Sequence, residues 1–141
     1  IRGKPDRVLK AIADTGGLLG VACIPSFLGN PGNIHAFLNH IDHVVKTTNI
    51  NHAGIGTDIS YVSRNQSAEA AKAPRRSRER TAWRYFWPAG SLRPQPQARL
   101  SIAWTNWPLF TVGLVQRGYK DDEIRKIIGG NMMRVCRDSL K

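Results

Sequence analysis

Apolar residues along the first 60 positions recur with two different spacings, which predict a helix, a strand, a second helix and a second strand in that order. Helical spacing starts after Pro5 and ends at the turn Thr15-Gly16-Gly17. A strand-length apolar run covers 18–24, and a one-sided helical stripe covers 34–45. The small and apolar run 53–56 suits a strand packed on both faces. This alternation predicts an α/β fold with a parallel sheet.

The second predicted strand ends on a single carboxylate, Asp58. In parallel α/β folds, ligands and chemistry collect in the loops beyond the carboxyl ends of the strands. Asp58 is therefore the first candidate for a functional residue. The alternative is an aspartate that forms a turn at the strand end, and the local pattern alone favours that alternative.

Three further helices are predicted near the end of the chain. Asn106 can cap the first of them, and Gly118 ends it. The acidic run 121–123 suits the positive end of the second helix, which stops at Gly129-Gly130. Asn131 is then predicted to cap the last helix.

The length and composition indicate one folded domain at most. The chain has 141 residues and is 41% hydrophobic, and no apolar run approaches the roughly 18 residues of a membrane-spanning helix. The chain opens on Ile1 without an initiator methionine, which suggests a fragment or a processed product. Cys23 and Cys136 lie far apart in apolar surroundings, so we expect two buried thiols and no disulfide.

Most of the positive charge belongs to one irregular segment, residues 62–100. This segment contains nine Lys or Arg against two Glu, so it holds seven of the eleven net positive charges. Arginines interleaved with aromatic residues over 75–87 could bind single-stranded nucleic acid, which makes a basic nucleic-acid-binding module the alternative function. They could equally pack a long loop against an enzyme. The second interpretation is favoured, because no nucleic-acid-binding fold signature accompanies the charge.

The second helix contains a His-x-Asp string, His40-Ile41-Asp42, that resembles a metal-ligand pair. On a helix, residues two apart point about 200° from each other, so they cannot chelate one ion. No metal ligand is therefore assigned in this chain.

Several strings resemble the membrane-dipeptidase (renal dipeptidase) family of zinc peptidases, as found in bacteria. They run in the family's order along the chain: Asp14-Thr15-Gly16-Gly17, 40–45, Gly54-Ile55-Gly56-Thr57-Asp58, 103–114, Arg117-Gly118-Tyr119, 128–131 and Arg134-Val135. The ordered series is more specific than any one string.

The resemblance implies a metal-dependent dipeptidase on a TIM-type (β/α)8 barrel. In that family, two zinc ions share a bridging water that attacks the peptide carbonyl. By motif position, Asp58 matches the acid that hydrogen-bonds this water and handles its proton, which reverses the preference for a simple turn residue. Arg2 matches the arginine that pairs with the substrate carboxylate.

The resemblance also implies that this chain is the C-terminal part of such a barrel domain, over 1–141, with a basic irregular insertion at about 62–100. The family's metal ligands belong to the part of the fold that precedes Ile1. We therefore expect that this polypeptide alone neither binds zinc at the family site nor cleaves dipeptides. The implied partners are a dipeptide substrate and, in the complete enzyme, a second copy of the chain. Nucleic acid is the disfavoured partner. The sequence does not distinguish the bacterial cytoplasm from the periplasm as the compartment.

Overall fold

The computed structural model describes residues 3–58, 68, 71–72 and 96–140. The first part contains two strands among helices, and the second part is helical. The elements are α1 (Asp6–Asp14), β1 (Leu19–Ala22), α2 (Pro25–Leu28), α3 (Ile34–Thr47), a 3-10 turn (Ile50–His52), β2 (Ala53–Thr57), α4 (Pro96–Ser101), a 3-10 turn (Trp104–Asn106), α5 (Trp107–Gln116), α6 (Asp121–Arg125), a π-helical turn (Lys126–Gly130) and α7 (Asn131–Ser139).

The two strands pair in parallel, as the alternation of spacings predicted. Leu19 lies opposite Ala53, and the register continues to Val21 opposite Ile55. Ala22 then pairs with Thr57, so the register skips one residue of β2 and forms a bulge. The α/β class is confirmed. The sheet within the described residues has two strands, so the predicted barrel is not seen in this part of the chain.

Helix α3 forms where the sequence predicted it and supplies the centre of the core. Its first turn is capped by Asn33, whose Oδ1 accepts hydrogen bonds from the amides of His35 and Ala36 at 3.1 and 3.2 Å. The ring of Phe37 packs 4.9 Å from that of Phe110 on α5. The fully buried side chains are Phe37, Phe110, Ile41, Ile102, Leu114 and Ile127.

Helix α5 approaches α3 closely because it carries a glycine at the contact. A Cβ on Gly113 would lie 2.4 Å from Cδ1 of Leu38, well inside van der Waals contact. The predicted start of α5 is right, but the role of Asn106 is different. Its side chain makes no capping bond and donates instead to the carbonyl of Leu100. Gly118 ends the helix with φ at +82°, as predicted.

Asn131 is not the helix cap that the sequence suggested. It is 3% exposed, and its Nδ2 donates to the carbonyls of Ile50 and Ala53, both at 2.8 Å. One turn later, Arg134 donates to the carbonyls of Gly16 and Asn51 at 2.8 and 3.0 Å. Helix α7 thus satisfies backbone groups at the amino ends of both strands.

The remaining differences concern a short helix and a cysteine. Helix α2 begins at Pro25, where the sequence predicted only the end of a strand, because proline suits the first turn of a helix. Helix α4 begins at Pro96, within the segment 62–100 that the sequence predicted to be irregular. Cys23 is buried as expected, but Cys136 is exposed, since α7 faces the rest of the protein mainly through Asn131 and its neighbours one turn on.

Candidate functional site

Asp58 lies directly after β2, at the carboxyl-terminal edge of the two-stranded sheet. Because the strands are parallel, the segment after β1, starting at Cys23, ends at the same edge. The Asp58 side chain is exposed. It has no hydrogen bond or ion pair to any residue that the structure describes. A carboxylate in this setting is free to accept hydrogen bonds from a ligand or a water.

The backbone that carries Asp58 is unusual for the residues involved. Thr57 has φ at +23° and Asp58 has φ at +56°. Positive φ is uncommon outside glycine and is a genuine outlier for a β-branched residue such as threonine. Strained backbone of this kind clusters at functional sites, so the conformation supports Asp58 as a working residue.

The Thr57 carbonyl is held from the neighbouring strand. The amide of Cys23 donates to it at 2.7 Å, a short and therefore strong backbone bond. Cys23 itself is 3% exposed, so the donor belongs to the core. The peptide that leads into Asp58 is thus fixed to a rigid part of the fold.

Two glycines let the strands meet at this edge. A Cβ on Gly20 would lie 3.0 Å from Cα of Gly56, and a Cβ on Gly56 would lie 3.1 Å from three backbone atoms of Gly20. Backbone atoms cannot move aside as a flexible side chain can, so the bulge before Asp58 requires glycine on both strands.

The thiol of Cys23, whose amide bonds Thr57 across the sheet, is chemically unreactive. Burial raises the pKa of Cys23 to about 12. The thiolate, which is the reactive form, is therefore absent at neutral pH, and Cys23 serves as a core residue whose amide holds Thr57.

Three of the four histidines, including His40 of the His-x-Asp string, have separate partners for their side chains. His40 Nε2 donates to the carbonyl of Leu28 at 3.2 Å. His43 Nε2 lies 2.8 Å from Oδ1 of Asp6 on α1. His52 Nδ1 donates to the carbonyl of Gly17 at 2.8 Å, at the amino end of the sheet.

Asp42, the other half of the His-x-Asp string, belongs to a polar cluster that joins α3 to the end of α5. Arg117 forms an ion pair with Asp42 and donates to Asn39 Oδ1 at 2.8 Å and to the carbonyl of His35 at 3.2 Å. The Tyr119 hydroxyl donates to Asp42 at 2.9 Å. Burial, followed by the hydrogen bond to Asp42, raises the pKa of Tyr119 above its usual range. The two side chains of the string thus contact different elements, His40 the end of α2 and Asp42 the end of α5.

The described residues do not fit a metal centre. Across 3–58, 68, 71–72 and 96–140, no group of three or more His, Cys, Asp and Glu side chains could hold a metal ion. The described residues thus form no complete metal site among themselves. In the same ranges, no helix combines the length and the apolar character that crossing a membrane requires.

An open cavity of about 200 Å³ lies along β1, between α1 and α3. Its lining includes Leu9, Gly20, His40 and Val44. Asp58 is not among the lining residues, so the cavity and the candidate carboxylate are separate features.

The structure gives the position of Asp58, and its catalytic role stays a prediction. Asp58 is where the prediction placed it, at the carboxyl end of a parallel strand. Arg2 lies outside the described residues, as do the basic and aromatic residues 75–87, so the substrate arginine and the nucleic-acid alternative stay predictions. Sequence reasoning missed Thr57 and the amide of Cys23. The signal available was weak: a glycine two residues before the acid, which permits a bulge.

A family model described as membrane dipeptidase (peptidase family M19) matches residues 2–73. The match covers 72 of the 141 residues and lies in the N-terminal half of the chain. It contains 14–17, 40–45 and Asp58, whereas the resembling strings beyond residue 100 lie outside it. No solved structure matches the chain.

Proposed function

The chain belongs to the membrane dipeptidase family, peptidase family M19, and from this premise we propose that it contributes the proton-handling carboxylate, Asp58, to a dipeptide hydrolase. Membership supports a peptidase that cleaves dipeptides. The finer assignments that follow rest on the positions of residues within the family's motifs and on the geometry at the sheet edge.

The observation that carries the proposal is the state of Asp58. Its carboxylate is exposed, unpaired among the described residues, and presented by a left-handed backbone at the carboxyl edge of a parallel sheet. A general base must lie within hydrogen-bond reach of the proton it takes. Asp58 would accept a proton from the attacking water and return it to the leaving amine. Arg2, by motif position, would pair its guanidinium with the terminal carboxylate of the substrate.

Zinc enters the proposal only as the metal that the resemblance implies. When bound, zinc lowers the pKa of a water and polarises a carbonyl. The side chains of His40, His43, His52 and Asp42 are engaged in contacts with separate partners, so we expect two zinc ions to need ligands from elsewhere. The 141 residues alone are therefore proposed to be inactive. The barrel, the dipeptide and the homodimer belong to the proposal on the strength of the resemblance.

The first experiment uses the protein purified from its source at its natural length. Intact mass, zinc content and dipeptide hydrolysis are measured together, and the 141-residue polypeptide is assayed beside it with added zinc. A mass well above 15.7 kDa with zinc bound and hydrolysis present is expected, together with no hydrolysis by the 141 residues. Zinc-dependent hydrolysis by the short polypeptide would contradict its proposed inactivity.

The role of Asp58 is tested with Asp58→Asn in the natural-length protein. Asparagine keeps the shape and tolerates left-handed backbone, so the fold and the zinc content should persist. Turnover should fall about 10²- to 10⁴-fold, the usual contribution of a general base. Asp122→Asn, at an exposed position on α6, is the matched control and should not change turnover. Equal turnover for Asp58→Asn and wild type would remove Asp58 from the mechanism.

A further inference from the structure

We propose that Thr57 is a positioning residue, whose strained backbone conformation aims the Asp58 carboxylate. This inference rests on the proposed function of Asp58 but goes beyond the family assignment. It gives Thr57 a role in orienting Asp58, although Thr57 is not itself proposed to contact the reacting atoms. Three independent observations carry it: a bulge, a backbone anchor and two consecutive positive φ angles.

The bulge changes the direction in which the chain leaves β2. Val21 pairs with Ile55 and Ala22 with Thr57, so Gly56 is the extra residue. One inserted residue shifts the alternation of side chains across the strand and bends it. Without the bulge, Thr57 would not lie opposite Ala22, and Asp58 would leave the strand in a different register.

The anchor fixes the peptide between Thr57 and Asp58. The Cys23 amide donates to the Thr57 carbonyl at 2.7 Å, and that carbonyl shares its peptide plane with the Asp58 nitrogen. The φ and ψ angles of Thr57 set the orientation of that plane, and φ of Asp58 then decides where the Asp58 side chain points. The Thr57 hydroxyl has no hydrogen bond to the residues described here, so it does not help to hold this peptide in place.

The strain is specific to residues that carry a Cβ. Thr57 has φ at +23°. Glycine adopts this angle without steric cost, whereas the Cβ of an L-residue is crowded by the backbone there. A side chain at this position restricts the backbone conformations available to Thr57. This restriction limits the directions in which the Asp58 side chain can point. Glycine at the same position would relieve the crowding and widen that range.

The test compares Thr57→Gly with Thr57→Ala in the natural-length protein. Both variants lose the threonine side chain and differ only by one Cβ. The glycine variant should melt higher than the alanine variant, by about 2–5 °C, since the Cβ is the source of strain. The order should reverse at Thr47, the last residue of α3, where alanine is the better helix residue.

Turnover should follow the opposite order from stability. Thr57→Ala keeps the constraint and should retain kcat within about threefold, whereas Thr57→Gly should lower kcat about 10- to 100-fold, as small misplacements of catalytic groups do. KM and zinc content should stay near wild type in both. A measurement independent of activity is the ¹⁵N order parameter of the Asp58 amide, which should fall only in the glycine variant.

The outcomes separate this inference from the proposed function. An alanine variant that melts above the glycine variant shows that Thr57 is unstrained and overturns the inference. Equal kcat and equal order parameters in the two variants also overturn it, because strain would then not position Asp58. Absence of hydrolysis by the wild-type protein would sink the proposed function instead, and the order parameters would still decide whether Thr57 restrains Asp58.

Discussion

Replacing Asn131 by aspartate distinguishes the role seen in the structure from the role that the sequence suggested. As a helix cap, asparagine and aspartate are nearly equivalent, so the change would cost little. As the donor of two hydrogen bonds to Ile50 and Ala53, both at 2.8 Å, the amide cannot be replaced by a carboxylate, which only accepts. The ionised oxygen would face two carbonyl oxygens at a position that is 3% exposed.

The magnitude follows from the cost of keeping the introduced carboxyl neutral. An aspartate has a pKa of about 3.9 in the unfolded chain, so holding it protonated at pH 7 costs at most about 4 kcal/mol. The protonated group can donate one hydrogen bond, and the bond that is lost contributes about 1 kcal/mol. We expect the free energy of unfolding to fall by about 3–5 kcal/mol at pH 7, a large share of a typical domain's stability.

The pH dependence of this loss has a definite sign. Burial raises the pKa of the introduced carboxyl in the folded state above its unfolded value. The unfolded state therefore releases a proton first as pH rises, and the variant loses stability between about pH 4 and its folded-state pKa. Below about pH 4 only the missing hydrogen bond should remain as a cost.

Urea denaturation of wild type and Asn131→Asp at pH 4 and pH 7 measures the effect. Met132→Asp places the same charge one residue later, where the side chain is 47% exposed, and should change stability by less than about 1 kcal/mol. If Asn131→Asp is as stable as wild type at pH 7, Asn131 caps the helix and does not hold the strand.

Two further predictions concern polar and thiol side chains. Arg117→Lys should lower the free energy of unfolding by about 1–2 kcal/mol, because lysine cannot bridge Asp42 and the carbonyls of α3 at once. The same exchange at the exposed Arg137 should not measurably change the free energy of unfolding. Equal losses at both positions would contradict the role of the cluster. Iodoacetamide at pH 8 should alkylate Cys136 in the folded protein but Cys23 only after unfolding, since burial raises the pKa of Cys23 to about 12. Mass spectrometry of the native and urea-treated protein measures which cysteine is alkylated. Rapid labelling of Cys23 in the native protein would contradict the prediction.

The elements that the sequence predicted correctly are those with local signals. Helix α3 has a capping asparagine, Asn33, and an apolar stripe at helical spacing, and both lie within the helix or next to it. Gly118 ends α5 through its own backbone freedom. Asp58 was predicted from its position at a strand end, and the strand was visible in the apolar run before it. Such signals need no knowledge of distant residues.

The features that sequence reasoning missed depend on residues far away in the chain. The partners of Asn131 lie 78 and 81 residues earlier, and an asparagine after two glycines has the same local appearance as a cap. Cys136 looked buried because its helix carries apolar residues, yet Met132 and Met133 beside it are 47% and 55% exposed. The positive φ of Thr57 occurs where Thr57 pairs with another strand after a bulge, and no local pattern records that pairing.

The contacts of β2 divide the strand into two ends with different properties. At its amino end, Asn131 and Arg134 donate to backbone carbonyls, and His52 is bonded to the loop before β1. At its carboxyl end, the Cys23 amide holds Thr57, and beyond that point Asp58 is unpaired among the described residues. Substitutions at the amino end should therefore act on stability and change turnover only through the folded fraction. Substitutions of the Asp58 side chain should act on turnover at nearly constant stability, because a group that must exchange protons with a ligand cannot also be satisfied by the fold.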